Sequence, residues 1–281
     1  MMASSPRGRI DSHHHLWSLA RGDYGWLTPE LDVLFQDFLP IDLDRLIKKT
    51  AVKRTVLVQA APTVAETRYL LSLAEESSSI AAVVGWVDME ASEAEYQICN
   101  LSCHAKFRGI RPMMQDIPEP DWILKPELDP AFRALERLDL SFDALIRTIH
   151  IRNLQEISRR YPALRIVINH AAKPNIAGGA FPDWAEAMKK ISESANIYCK
   201  ISGLLTEAEP RAAAQSLKPW VDHLIECFGA ERLMWGSDWP VLNLVSNYKH
   251  WAEMSDVLFA ELAKAEQNFI YGETARAFYK I

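Results

Sequence analysis

The chain has 281 residues, 49% hydrophobic and 24% charged, which is ample apolar material for a large core and unlike a disordered composition. Its 31 basic and 37 acidic residues give a net charge of −6 without a long run of either sign, so no basic stripe is available for a nucleic-acid backbone. No apolar run approaches the roughly 20 residues that span a bilayer, and Met1 to Arg9 is too short and polar for a signal peptide, which makes a cytoplasmic protein the default.

The first extended run, Arg9 to His15, carries Asp11-Ser12-His13-His14-His15. In a strand alternate side chains share a face, so His13 and His15 can approach one metal ion while His14 points away. A purification-tag remnant would sit on a disordered terminus, whereas these histidines lie inside an apolar run that continues into Leu16-Trp17. An aromatic loop, Trp17 to Trp26, follows and suits either a cover over a pocket or a hydrophobic plug; a helix is expected near Leu43 to Lys49. Further strands are expected at Arg54 to Ala60, Ile80 to Asp88, Phe107 to Arg111, Ser141 to Arg147, Arg165 to His170, Asn196 to Ser202 and Arg232 to Ser237. Between them, apolar residues recur at helical spacing over Ala65 to Glu76, Ala94 to His104, Ala131 to Leu138, Leu154 to Tyr161, Trp184 to Ser194 and Leu217 to Phe228. Tyr248 to Ile281 reads as two more helices, with Gly272-Glu273-Thr274-Ala275 as a capped start of the last.

Strand then helix, eight times over, predicts an α/β fold: a single (β/α)8 TIM barrel over residues 1–281 with extra C-terminal helices. An open doubly wound sheet is the runner-up, weakened because no glycine-rich phosphate loop follows the first strand. The four cysteines show no CxxC spacing and are expected as free core thiols.

Barrel enzymes build their sites at the carboxyl ends of the strands. There the expected strands present His13 and His15, Arg111, Arg147 leading to His150, His170 with Lys173, Lys200, and Asp238 with Trp239. Each alone has a plain reading: His170 as an interior hydrogen-bonded residue, Asp238 as the cap of the next helix, Arg111 and Lys200 as ion-paired scaffold. Their coincidence at one end of one barrel is what carries weight. Three imidazoles (His13, His15, His170) and the carboxylate of Asp238 suit one divalent metal, with zinc the first choice.

Several ordered stretches carry a resemblance. They are Asp11-Ser-His-His-His-Leu-Trp17, Arg54-Thr-Val-Leu-Val-Gln-Ala-Ala61, Val84-Gly-Trp-Val-Asp88, Gly109-Ile-Arg-Pro-Met-Met-Gln-Asp116, His170-Ala-Ala-Lys-Pro174, Cys199-Lys-Ile-Ser-Gly203 and Trp235-Gly-Ser-Asp-Trp-Pro240. Together they resemble the amidohydrolase superfamily, and more narrowly its sugar-lactonase branch of L-fuconolactonase and L-rhamnonolactonase-like enzymes. The resemblance implies a barrel that hydrolyses the ester bond of a small sugar lactone. It maps the family's His-x-His onto His13 and His15, a later histidine onto His170 and the eighth-strand aspartate onto Asp238. Arg111 stands where binuclear members carry a bridging carboxylated lysine, which implies at most one metal; some members of this branch work without a tightly held one.

On that footing Asp238 is the expected base, His170 and Arg111 the other catalytic groups, and Trp26, Arg111, His150, Lys173, Lys200 and Trp239 the substrate-binding set. Asp116 and Trp122 lie in a long loop placed to set specificity. A metal-dependent decarboxylase of a small carboxylic acid and a non-catalytic sugar-acid binding barrel are the alternatives. Exposed helix faces suit a homodimer without locating its surface.

Overall fold

Runs rich in Val and Ile, too short to form helices and buried on both faces, are what a parallel sheet covered by helices requires. The computed structural model describes residues 8–281, so most of the polar stretch Met1 to Arg9 lies outside the described residues. Strands β1 (Arg9–His14), β2 (Val52–Val58), β3 (Ile80–Gly85), β4 (Phe107–Ile110), β5 (Ser141–Ala144), β6 (Arg165–Ile168), β7 (Ile197–Ile201) and β8 (Leu233–Trp235) pair in parallel and in chain order. The ring closes just beyond β8. A parallel bridge joins His14 to Trp239, the amide of His15 donates to the Trp239 carbonyl at 2.7 Å, and that of Asp238 donates to the His13 carbonyl at 2.8 Å.

One helix follows each strand: α1 (Pro40–Ile47), α2 (Val64–Glu76), α3 (Ala94–Ser102), α4 (Asp129–Arg137), α5 (Ile151–Arg160), α6 (Phe181–Ser192), α7 (Ala214–Phe228) and α8 (Tyr248–Leu258). This is the (β/α)8 barrel expected from the sequence, and among the described residues no helix is long and apolar enough to cross a membrane. The expected strands ran one to three residues past the observed carboxyl ends. Those residues are apolar or polar in the same pattern, but they leave the ladder to enter the loops at the mouth.

Period-two alternation sorts the strand residues into two layers. Leu57, Val83, Phe107, Phe142 and Ile166 pack outward against the helices. Val56, Val58, Ala82, Val84, Val167 and Met234 form a second cluster inside, together with Phe278 and Tyr279. The latter two belong to the C-terminal segment. The chain there is α9 (Lys264–Asn268), a π-helical turn (Phe269–Glu273) and α10 (Thr274–Tyr279), run together without a break. The capped start expected at Gly272-Glu273-Thr274-Ala275 is therefore absent: Thr274 Oγ1 donates to the Ala230 carbonyl instead. Gly272 lies where an added Cβ would stand 3.2 Å from the Gly8 carbonyl oxygen, so the wide turn brings α10 tight against the entry of β1.

The four cysteines are free, as expected, but only Cys199 is buried; Cys103 is exposed. Side chains of their size fill gaps at either level, and spacing alone does not separate the two.

Inside the barrel a polar column rises from this plug. Tyr279 Oη donates to Asp143 Oδ2 at 2.7 Å, Ser141 Oγ donates to Asp143 Oδ1 at 3.0 Å, and Lys200 Nζ pairs with Asp143 Oδ2 at 2.6 Å with both side chains fully buried. A buried ammonium left without its carboxylate is costly. Asp143→Ala should lower stability by about 3–5 kcal/mol, and adding Lys200→Met should restore a large part of it. Urea unfolding of the two variants checks this.

Candidate active site

The closing bonds of the barrel place three of the sequence-predicted residues side by side. The Asp238 amide bonds the His13 carbonyl, and with its backbone at φ 57° the carboxylate comes to lie beside the His13 and His15 rings. The two Nε2 atoms are 3.2 Å apart, and Asp238 Oδ1 stands 3.7 Å from His13 Nε2 and 3.4 Å from His15 Nε2. Among the described residues, the set whose ligand atoms all lie within 4.8 Å of one another is His13, His15 and Asp238. Two nitrogens held tetrahedrally at about 2.0–2.1 Å from a zinc ion would sit about 3.3 Å apart, so this donor set fits one divalent ion. His15 Nδ1 donates to the Val58 carbonyl at 2.9 Å, which leaves its Nε2 with the lone pair toward the cluster. His14, as the alternation requires, points elsewhere and is buried with neither ring nitrogen bonded.

His170 stands beside this set, its Nε2 3.7 Å from Asp238 Oδ1 and its ring centroid 4.4 Å from that of His13. It arrives there by an uncommon backbone. His170, Ala171, Ala172 and Lys173 all have φ between 49° and 60°, a left-handed turn that costs L-residues roughly 1–2 kcal/mol each. Three contacts hold it. Ser202 Oγ bonds His170 Nδ1 at 2.9 Å, the buried indole of Trp184 donates to the Ala171 carbonyl at 2.8 Å, and Gly203 leaves room, since a Cβ there would lie 2.5 Å from His170 Nδ1.

Arg111 lies across from these residues, buried, with Nη2 donating to the Gln59 carbonyl while Gln59 Nε2 donates back to the Arg111 carbonyl at 2.6 Å. Its guanidinium is clamped before any ligand arrives. Beneath the cluster, Lys200 Nζ is 3.4 Å from His13 Nδ1.

Burial lowers the imidazoles, His170 to about 3 and His13 well below the usual histidine value with the Lys200 charge adding to it. His15 is lowered by the same cause. Burial opposes ionisation of Asp238, but His170, His15 and Lys173 outweigh it and hold the carboxyl below the ordinary aspartate value. Arg111 is pushed down by burial to about 10 and stays charged at neutral pH. The cluster thus presents neutral rings, one carboxylate and one guanidinium.

A cavity of about 270 Å³ opens over them, lined by His15, Trp26, Arg111, His170, Lys173 and Asp238 among others. Lys173 Nζ also pairs with Glu207 at 3.3 Å. Three residues expected against substrate do not line it. Lys200 is fully buried below His13, held by Asp143; His150 turns its Nδ1 back to accept the Arg147 amide at 3.0 Å; Trp239 is buried against Phe38, ring centroids 5.2 Å apart. Strand-end position places a residue at the correct end of the barrel, but not on the correct side of the sheet. The aromatic loop divides similarly: Trp17 and Tyr24 are buried as a plug, while Trp26 reaches the mouth and donates Nε1–H to the Ala60 carbonyl at 2.7 Å.

Gln59, Ser202, Asp143 and Glu66 were not singled out from the sequence. The signal for the first three was present as isolated polar residues inside or ending apolar strands, at Val58-Gln59, Ile201-Ser202 and Phe142-Asp143.

The chain matches the Amidohydrolase family over residues 10–281, and with this barrel and this strand-end cluster it belongs to that family. Among curated relatives, it is 44% identical to an L-fucono-1,5-lactonase of Burkholderia ambifaria over 97% of this chain and 96% of that one. An L-fucono-1,5-lactonase of Burkholderia multivorans is 32% identical, with 97% and 96% covered. A crystal structure of a Burkholderia multivorans amidohydrolase with bound Zn superposes with a TM-score of 0.92 at 32% identity, covering 97% of this chain and 99% of that one.

Glu66 supports the mouth from behind. Its Oε1 accepts the Ala60 amide at 2.8 Å, the same residue whose carbonyl holds Trp26. Burial raises its pKa from 4.5 to about 8. The folded state therefore keeps this proton where the unfolded chain has lost it, so the contribution is full below pH 4.5 and fades as pH rises toward 8. The melting temperature of Glu66→Gln should decline less over that interval than wild type; parallel slopes would refute the assignment.

Proposed function

We propose that the protein hydrolyses the ring ester of a small sugar lactone to the open-chain acid, with a 1,5-lactone of the L-fuconolactone class as the first substrate to test. The observation that carries this reading is the ionised Asp238 carboxylate fixed among neutral imidazoles, opposite a clamped guanidinium, at the floor of a ligand-sized cavity. The likeness to two curated L-fucono-1,5-lactonases over nearly the whole chain supports it.

Ester hydrolysis needs a base for water, a counter-charge for the carbonyl oxygen and a proton for the leaving ring oxygen. Asp238 takes a proton as the water oxygen bonds the carbonyl carbon. The electron pair displaced onto the carbonyl oxygen faces Arg111, whose position is set in advance by Gln59. When the tetrahedral carbon collapses, the bond to the ring oxygen breaks and Asp238 returns its proton there. His170, oriented by Ser202, bounds the carboxylate on a further side, and Lys173 and Trp26 face the rest of the ring.

His13, His15 and Asp238 would hold a divalent ion, zinc being the first choice, and such an ion when bound supplies Lewis acidity toward the carbonyl. Lys200 bears on how firmly they would do so. Its ammonium faces His13 Nδ1, which favours the proton on Nε2, directed at His15, so holding a cation at Nε2 would require the ring to carry its proton on Nδ1 instead and Lys200 to release one of its own to solvent. The same reading makes residues 1–281 one catalytic domain of carbohydrate metabolism.

Asp238→Asn should cut kcat by about 10²–10⁴-fold on a lactone panel followed with a pH indicator, with an unchanged circular-dichroism spectrum. Wild type without turnover of any five- or six-membered sugar lactone would overturn the reading. Separately, zinc titrated calorimetrically into chelator-treated protein should bind one equivalent with uptake that weakens as pH falls, and His15→Ala should abolish it; stoichiometry or affinity unaffected by that change would place the ion elsewhere.

A further inference from the structure

A second cavity, of about 600 Å³, adjoins the first and shares Trp26, Met113 and Asp116 as a common wall. It lies at the same end of the barrel, because its lining comes from the loops after β1, β2, β3 and β4. None of the chemistry described above uses it. The catalytic cavity is smaller than the range of about 300–1,000 Å³ typical of ligand pockets, whereas its neighbour falls well inside that range.

The walls of this annex have a consistent character. Trp26 and Trp86 are half-buried and present ring surface to it, with the mostly buried Trp122 below. Asp88, Glu90 and Asp116 are exposed on its edge, and no lysine or arginine is among its lining residues. Trp122 is pinned, its Nε1 donating to Glu90 Oε2 at 2.8 Å, while Lys125 holds Glu90 Oε1 at 2.6 Å from outside. This part of the wall is therefore braced by the protein's own side chains. Flat aromatic faces with carboxylate acceptors at their edges suit a ring that is apolar on one face and rich in hydroxyl donors around its rim. Among the lining residues a carboxylate or phosphate would find charged partners of its own sign only.

We propose that the annex is a subsite for a neutral glycosyl ring joined to the lactone, so that the preferred substrates include lactones of disaccharide aldonic acids. The lactone ring occupies the catalytic cavity, the glycosidic link passes Trp26 and Asp116, and the second ring lies between Trp86 and Asp88. This rests on the lactonase reading for the first ring and adds a requirement that reading does not contain.

The test compares a monosaccharide 1,5-lactone with cellobiono-1,5-lactone and lactobiono-1,5-lactone, for wild type, Trp86→Ala and Asp88→Asn. The expected result is that wild type turns over at least one of the disaccharide lactones. Each substitution should then raise KM for that lactone about tenfold while leaving monosaccharide turnover within about twofold. Equal losses on both substrate types, or turnover of the monosaccharide lactone alone, would overturn the subsite and leave the lactonase reading standing. If no lactone of either kind reacts, the lactonase reading falls, and binding decides the annex by itself. Cellobiose titrated against tryptophan fluorescence should then bind wild type and lose that binding in Trp86→Ala; no response in wild type would remove the subsite.

Discussion

The seam between β1 and the chain leaving β8 is the constraint from which the site follows. Two backbone hydrogen bonds, from His15 to Trp239 and from Asp238 to His13, are at once the last rungs of the barrel and the ruler that sets Asp238 against the histidine pair. Closing the ring brings the Asp238 backbone against that of His13, and the left-handed φ of 57° at Asp238 accompanies a carboxylate turned toward the imidazoles. The closure of the fold and the approach of Asp238 to the histidine pair thus share the same two bonds.

Beneath the seam the barrel departs from the usual apolar filling. The Asp143–Lys200 pair, topped by His13 and footed by Tyr279, spans the interior from the C-terminal plug to the reacting end. Its bonds are satisfied on every side that the neighbours offer, which is the condition under which buried charge is tolerable. What it contributes is orientation: His13 Nδ1 is met by a fixed donor, and turning the ring would forfeit that contact. Arg111, just past β4, is treated in the same way by Gln59, just past β2, across the end of the intervening β3. Lys200 below the cluster and Arg111 beside the cavity are thus immobilised by Asp143 and Gln59, neither of which lines the cavity.

Much of this was legible in the chain. All eight strands and the helices between them followed from periodicity, since a buried parallel strand and an amphipathic helix leave different spacings of apolar residues. The His13/His15 pair followed from alternation alone. The cluster with His170 and Asp238 followed from barrel geometry and from the family resemblance. What stayed hidden was depth. Lys200, His150 and Trp239 occupy strand ends just as His15 and Asp238 do, yet one faces down the barrel, one folds back on its own turn and one packs outward; side-chain direction at a strand's end depends on how the backbone leaves the ladder. The continuous C-terminal helix was hidden for a related reason, because Gly272 serves close packing against β1 and not a cap.

The left-handed run at His170 to Lys173 has one more implication. Four side-chain-bearing residues held in a conformation that L-amino acids avoid amount to strain kept in reserve, and Ser202, Trp184 and Gly203 are what keep it there. Letting that segment relax would relieve the strain and in the same step withdraw the His170 ring from its place beside Asp238. At this turn, backbone strain and the placing of the His170 ring beside Asp238 are therefore coupled.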